Sequence, residues 1–168
     1  MKKTLKSILA LTLAFIMTFG TTTALAAEGD TLEWIFDDEY SEEYTCYGEF
    51  KEGKNMVLCS EDSSEHKYYD FNAKEGYYSI SYTNPDDTGF IGWLFTPYEF
   101  EDGKAYDYAY PFCENYYYDD NNEHYTTIFK FDAGETVIGV NAYCGFEDTE
   151  IEVNVEYLGE SITDFVDK

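Results

Sequence analysis

The chain predicts an all-β protein, an antiparallel β-sandwich of jelly-roll type built as a single domain after an N-terminal signal peptide. Three observations carry this. Apolar and polar residues alternate with period two, no segment past the N-terminal region has helical periodicity, and Gly-containing turns recur between short apolar runs. The eighteen Tyr, thirteen Phe and two Trp agree with it, since aromatics favour strands and fill cores and disordered chains carry few.

Lys2, Lys3 and Lys6 open the sequence, an apolar run extends from Ile8 to Phe19, and Ala24-Leu25-Ala26 supplies small residues for cleavage. This reads as a secretory signal peptide over 1–26, its apolar run too short to span a membrane. Residues 27–160 are then the sandwich and 161–168 a loose polar tail. The expected location is secreted, with no membrane insertion.

One turn recipe recurs: a Phe, polar residues, Gly, then a new apolar run. It occurs at Phe50–Gly53, Phe71–Gly76, Phe100–Gly103 and Phe131–Gly134. Each reads as a hairpin or strand-end turn, with Gly supplying a positive φ. Tyr78, Ile80 and Tyr82 alternate with Tyr77, Ser79 and Ser81, and Phe90 to Phe95 reads as a more buried strand. A hairpin centred on Ala133-Gly134 sets Phe129 opposite Ile138, Thr127 opposite Val140 and Tyr125 opposite Ala142. Ile151, Val153, Val155 and Tyr157 form one strand face, against Glu150, Glu152, Asn154 and Glu156 on the other.

Tyr68-Tyr69-Asp70-Phe71, Gly76-Tyr77-Tyr78-Ser79-Ile80 and Phe129-Lys130-Phe131-Asp132-Ala133-Gly134-Glu135 resemble the pattern of bacterial extracellular β-sandwich modules. The nearest are the pre-peptidase C-terminal type and its jelly-roll relatives, over about residues 66–158. The resemblance implies a non-catalytic accessory of secreted enzymes or surface proteins, and it carries over no functional residue.

The formal net charge is -25 and there is no Arg. Nucleic acid is excluded as a partner, because phosphate neutralisation needs Lys and Arg on one face. Anionic lipid is disfavoured for the same reason. Solubility alone would account for the acidity.

Four Cys in an exported chain predict two disulfides. Cys46 and Cys59 are symmetric about Glu52-Gly53 and would face each other across a hairpin, which leaves Cys113 for Cys144. The alternative is four thiols acting as small apolar residues.

Nucleophilic hydrolysis lacks a Gly-x-Ser-x-Gly, and only His66 and His124 could serve as base. Both read as surface histidines, and no His pair has zinc-ligand spacing. Calcium has a candidate loop in Asp119, Asp120, Asn121, Asn122 and Glu123, with Asp86-Asp87 and Asp37-Asp38-Glu39 as secondary places. The EF-hand template fails, with His124 at its sixth position and Lys130 at its twelfth. A solvated turn is the simpler reading of that loop.

The aromatics give the sharpest expectation. Tyr116, Tyr117 and Tyr118, with Trp93 or Trp34, could form an outward platform on which sugar rings stack beside hydroxyl-accepting carboxylates. The expected function is a non-catalytic carbohydrate-binding module, with calcium as its one candidate cofactor. An extracellular protein-interaction or envelope-structural module is the alternative. A small carboxylate-dependent hydrolase is the third reading.

Overall fold

The computed structural model describes residues 28–59, 65–85, 90–119, 122–144 and 149–161, with side chains left undescribed at 84–85, 90–93, 116–119, 122, 143–144 and 149. The expected signal peptide therefore lies outside the described residues. Twelve strands follow one another: β1 (Thr31–Ile35), β2 (Ser41–Phe50), β3 (Gly53–Cys59), β4 (Lys67–Ala73), β5 (Gly76–Pro85), β6 (Phe90–Phe95), β7 (Glu99–Glu101), β8 (Lys104–Tyr106), β9 (Cys113–Asp119), β10 (Asn122–Phe131), β11 (Gly134–Cys144) and β12 (Thr149–Gly159). No helix occurs among the described residues.

Sheet A has seven strands in the order β6-β11-β4-β2-β1-β8-β7, and sheet B has five in the order β3-β12-β5-β10-β9. The predicted all-β sandwich is the fold. Pairing is mostly antiparallel, but β1 runs parallel to β8 and β2 runs parallel to β4. The second of these arises because β3 leaves for sheet B, so β4 returns beside β2 in the same direction.

The Phe-turn-Gly recipe makes corners more often than hairpins. The two-residue links 51–52, 74–75 and 132–133 each carry the chain from one sheet to the other. Gly53, Gly76 and Gly134 open the next strand with φ of +100°, +140° and +134°, a region that residues bearing a Cβ rarely adopt. Phe50, Phe71 and Phe131 are buried at these corners. Only the link after Phe100 joins an antiparallel neighbour, β7 to β8.

Two expectations fall with this. Phe129 pairs with Tyr78, not Ile138, and Ile138 pairs with Tyr69. Phe129 and Ile138 still lie in one core cluster, because they face each other's sheets across the sandwich. Cys46 and Cys59 likewise belong to different sheets, and no disulfide joins them.

Sheet A is curled. Its edge strands β6 and β7 are joined by only Thr96, Pro97 and Tyr98. Strands lie about 4.8 Å apart, so a flat sheet would hold these edges roughly 29 Å from each other. The link reaches no more than ~14 Å. The sheet must therefore bend until its edges approach. The bend encloses a second core on the face away from sheet B, formed by Leu32, Trp34, Tyr44, Cys46, Tyr68, Phe95, Ala105 and Val137.

Burial on both faces explains why β4 lacks alternation. Tyr69, Phe71 and Ala73 enter the inter-sheet core, while Tyr68 enters the curl. A small void of about 10 Å³ lies in the inter-sheet core among Val57, Tyr82, Leu94, Val140, Ala142, Ile151 and Val153. That space is apolar and about the smallest that could admit a water molecule.

Candidate functional site

Trp34 sits at the centre of the curl. It is 0 % exposed, with ring centroids 4.8 Å from Phe95, 5.0 Å from Tyr44 and 6.0 Å from Tyr108. Its indole N–H donates to the Asp107 carbonyl at 3.0 Å. This corrects its assignment to an outward platform: β1 turns Leu32 and Trp34 together into the curl, while Thr31 and Glu33 on its other face stay exposed.

The same contacts pin the segment that follows β8. Asp107 N–H donates to the Ile35 carbonyl at 2.7 Å, and Ala109 N–H donates to the Thr96 carbonyl at 2.9 Å. Tyr108 packs its ring inward at 4.7 Å from Phe95 and 4.9 Å from Phe36. Burial raises the Tyr108 hydroxyl above its ordinary pKa. With Tyr108 held inside and Ala109 fixed, Tyr110 projects outward and is 95 % exposed. The link from β6 behaves alike. Thr96 and Pro97 are buried, Tyr98 N–H donates to the Tyr106 carbonyl at 2.9 Å, and the Tyr98 side chain is 79 % exposed.

These two tyrosines border a cleft of about 580 Å³, closed on its far side by the corner between β10 and β11. Glu99, Asp132 and Glu135 supply its carboxylates and Lys130 its ammonium. Five other described lysines, Lys51, Lys54, Lys67, Lys74 and Lys104, each lie within 3.1 Å of a carboxylate. Lys130 has no such neighbour among the described residues and is exposed. The cleft thus offers two stacking faces, three acceptors and a cationic donor. That combination suits a polyhydroxylated ligand with apolar ring faces.

Tyr98 and Tyr110 lie outside the aromatic set expected from the sequence. The available signal was the pairing of each with a proline, in Pro97-Tyr98 and Tyr110-Pro111, within stretches that do not alternate.

The other expected positions are dispersed. Trp93 pairs with Asn141, and Tyr116, Tyr117 and Tyr118 pair with Tyr125, His124 and Glu123. The side chains of Trp93 and of those three tyrosines lie outside the described residues. Of the acidic loop, Asp120 and Asn121 lie outside them altogether, as do the side chains of Asp119 and Asn122, while Glu123 accepts a hydrogen bond from the Tyr125 hydroxyl at 3.3 Å. Asp86 and Asp87 also lie outside. Asp37 accepts the Glu39 backbone N–H at 2.8 Å and so closes its own turn. Among the described residues no group of three or more His, Cys, Asp or Glu could hold a metal ion.

Cys113 is an exposed free thiol, and the Cys144 side chain is not among those described. The two strands that carry them belong to different sheets. Burial raises the Cys46 thiol, and the nearby Asp70 carboxylate, 3.9 Å from Sγ, adds to the rise. His66 lies 3.0 Å from the Glu42 carboxylate, and His124 meets the Thr83 hydroxyl at 3.0 Å.

No protein-family model matches the chain, and no curated protein matches it. One solved structure with a similar chain course is the pre-peptidase C-terminal domain of a collagenase from Bacillus anthracis. It is 20% identical, the alignment covers 68% of this chain and 96% of that one, and the TM-score is 0.41. Among the described residues no helix is long and apolar enough to cross a membrane.

Proposed function

We propose that this chain is an exported, non-catalytic binding module for carbohydrate, with the cleft between Tyr98 and Tyr110 as its ligand site. The observation that supports this is the pair of outward tyrosines on segments fixed from beneath by Trp34, Tyr108 and Pro97. Rings held in place before binding lose little freedom on contact. Glu99 and Asp132 are exposed and Glu135 is half-exposed. Carboxylates standing in open water suit hydroxyl recognition better than acid catalysis, which wants a semi-buried, desolvated carboxyl.

The experiment is a glycan array probed with the chain lacking residues 1–26, run with calcium and again with EDTA. Binding confined to one glycan class, lost in Tyr98→Ala and Tyr110→Ala, is the expected result. Loss in EDTA would add a calcium ion at 119–123. A blank array under both conditions overturns the reading and favours a protein partner on the same tyrosines. Turnover of chromogenic glycosides would favour the hydrolase.

A further inference from the structure

The outer face of sheet B carries a second depression. It has a volume of about 270 Å³ and is lined by Ser81, Thr83, His124, Thr126, Glu152 and Asn154. Its floor is β5, the middle strand of the sheet. On the outer face that strand carries small hydroxyl side chains, Ser79, Ser81 and Thr83. Longer residues rise on both sides, His124 and Thr126 from β10 and Glu152 and Asn154 from β12. The result is a trough parallel to β5, walled by acceptors, amides and an imidazole. Lys54 lies at its rim, held 2.8 Å from Glu152.

One end of β5 lies beside a residue of the cleft. Beyond Ser79 the β5 floor ends in Tyr77, whose ring meets that of Phe112 at 5.5 Å, edge to face. Phe112 is 58 % exposed. Its N–H donates to the Ile128 carbonyl at 2.7 Å, which ties its backbone to β10. Tyr77 pairs with Lys130, which also lines the cleft. Phe112 follows Tyr110 by two residues. Through Tyr77 and Lys130 the floor strand of the trough therefore reaches the lining of the cleft. From Thr83 to Tyr77 alone the path is roughly 20 Å.

We propose that the ligand is an extended, uncharged polysaccharide chain that occupies both the tyrosine cleft and the trough on sheet B, crossing at Phe112 and Tyr77. This rests on the carbohydrate reading of the cleft. A compact sugar would need the cleft alone. A surface lined by Ser, Thr, Asn, His and Glu matches a polymer that presents hydroxyls along its whole length. An anionic polymer is disfavoured by Glu152 along the trough, by Glu99, Asp132 and Glu135 in the cleft, and by the net charge of -25.

The test is titration calorimetry with ladders of cello-, xylo-, manno- and chito-oligosaccharides, from disaccharide to hexasaccharide, on the wild type and on Ser81→Trp. The Trp side chain fills the trough floor from its solvent side, and a urea midpoint equal to wild type checks its fold. Affinity for one ladder should rise at least tenfold from disaccharide to hexasaccharide. In Ser81→Trp that rise should vanish while disaccharide affinity stays within about twofold. The His124 ring resonances give a second measurement that needs no variant, and they should shift with hexasaccharide and not with disaccharide. Length-independent affinity, with an unmoved His124, overturns the extended-chain proposal and leaves the cleft reading standing. No binding by any ladder overturns both. Capture of a basic peptide in place of the sugars would do the same.

Discussion

Gly139→Ala tests the second core, on which the cleft's geometry depends. Gly139 stands directly opposite Phe95 across the β11–β6 pairing. A Cβ there would lie 2.3, 2.5 and 2.9 Å from three ring atoms of Phe95. Carbon atoms attract best at roughly 3.5–4.0 Å, so the ring would have to retreat by about 1 Å. It has little room. Its centroid is 4.8 Å from Trp34, 4.7 Å from Tyr108 and 6.1 Å from Tyr44, and the residue is 3% exposed.

Inserting a methyl into a well-packed core costs about 1–3 kcal/mol. Driving the phenyl ring out altogether would approach the ~3–5 kcal/mol of a buried Phe→Ala change. The expected loss is about 3 kcal/mol, on the order of 10 °C in Tm for a domain of this size. Urea unfolding followed by tryptophan fluorescence reads it as a lower midpoint at unchanged slope. Adding Phe95→Leu to Gly139→Ala should recover part of the loss, because a smaller side chain vacates the site of the new methyl. A loss below about 1 kcal/mol would refute the claim that this ring is locked in place.

Two further outcomes follow from the same packing. Ellman's reagent should modify Cys113 in the folded protein and reach the buried Cys46 and Cys59 only on unfolding; mass mapping of a Cys46–Cys59 disulfide would refute the placement of β2 and β3 in different sheets. Alkali should unfold the protein from about pH 10 upward. Burial pushes the Tyr69 hydroxyl up to about 12 and raises those of Tyr44, Tyr68 and Tyr82 as well. Below the unfolded value near 10 both states keep these protons, so stability is unaffected; above it the unfolded chain ionises first, and stability falls as pH climbs toward the folded values. Absorbance at 295 nm and circular dichroism should then change together, and four tyrosines ionising before the fold is lost would count against their burial.

How far this fold could be read from its sequence depends on what each pattern encodes. Alternation encodes which side chains are inside, and it placed Ile151, Val153, Val155, Tyr78 and Ile80 correctly in the core. A short turn that ends in a positive-φ glycine encodes a change of direction, and Gly53, Gly76 and Gly134 make one. Neither pattern encodes whether the next strand lies beside the last one or across from it. A hairpin and a corner bury the same alternating face, and for that reason Phe129 and Ile138 share a core without sharing a ladder. The cysteine pairing failed on the same ambiguity. The curl of sheet A was legible in two places. Lys67-Tyr68-Tyr69-Asp70-Phe71 runs without alternation, as a strand covered on both faces must. Thr96-Pro97-Tyr98 is too short to join distant edges of a flat sheet. The proposed site follows from that curl. By drawing Trp34 and Tyr108 inward it leaves Tyr110 outside, so the most exposed aromatic among the described residues is placed by a fully buried one.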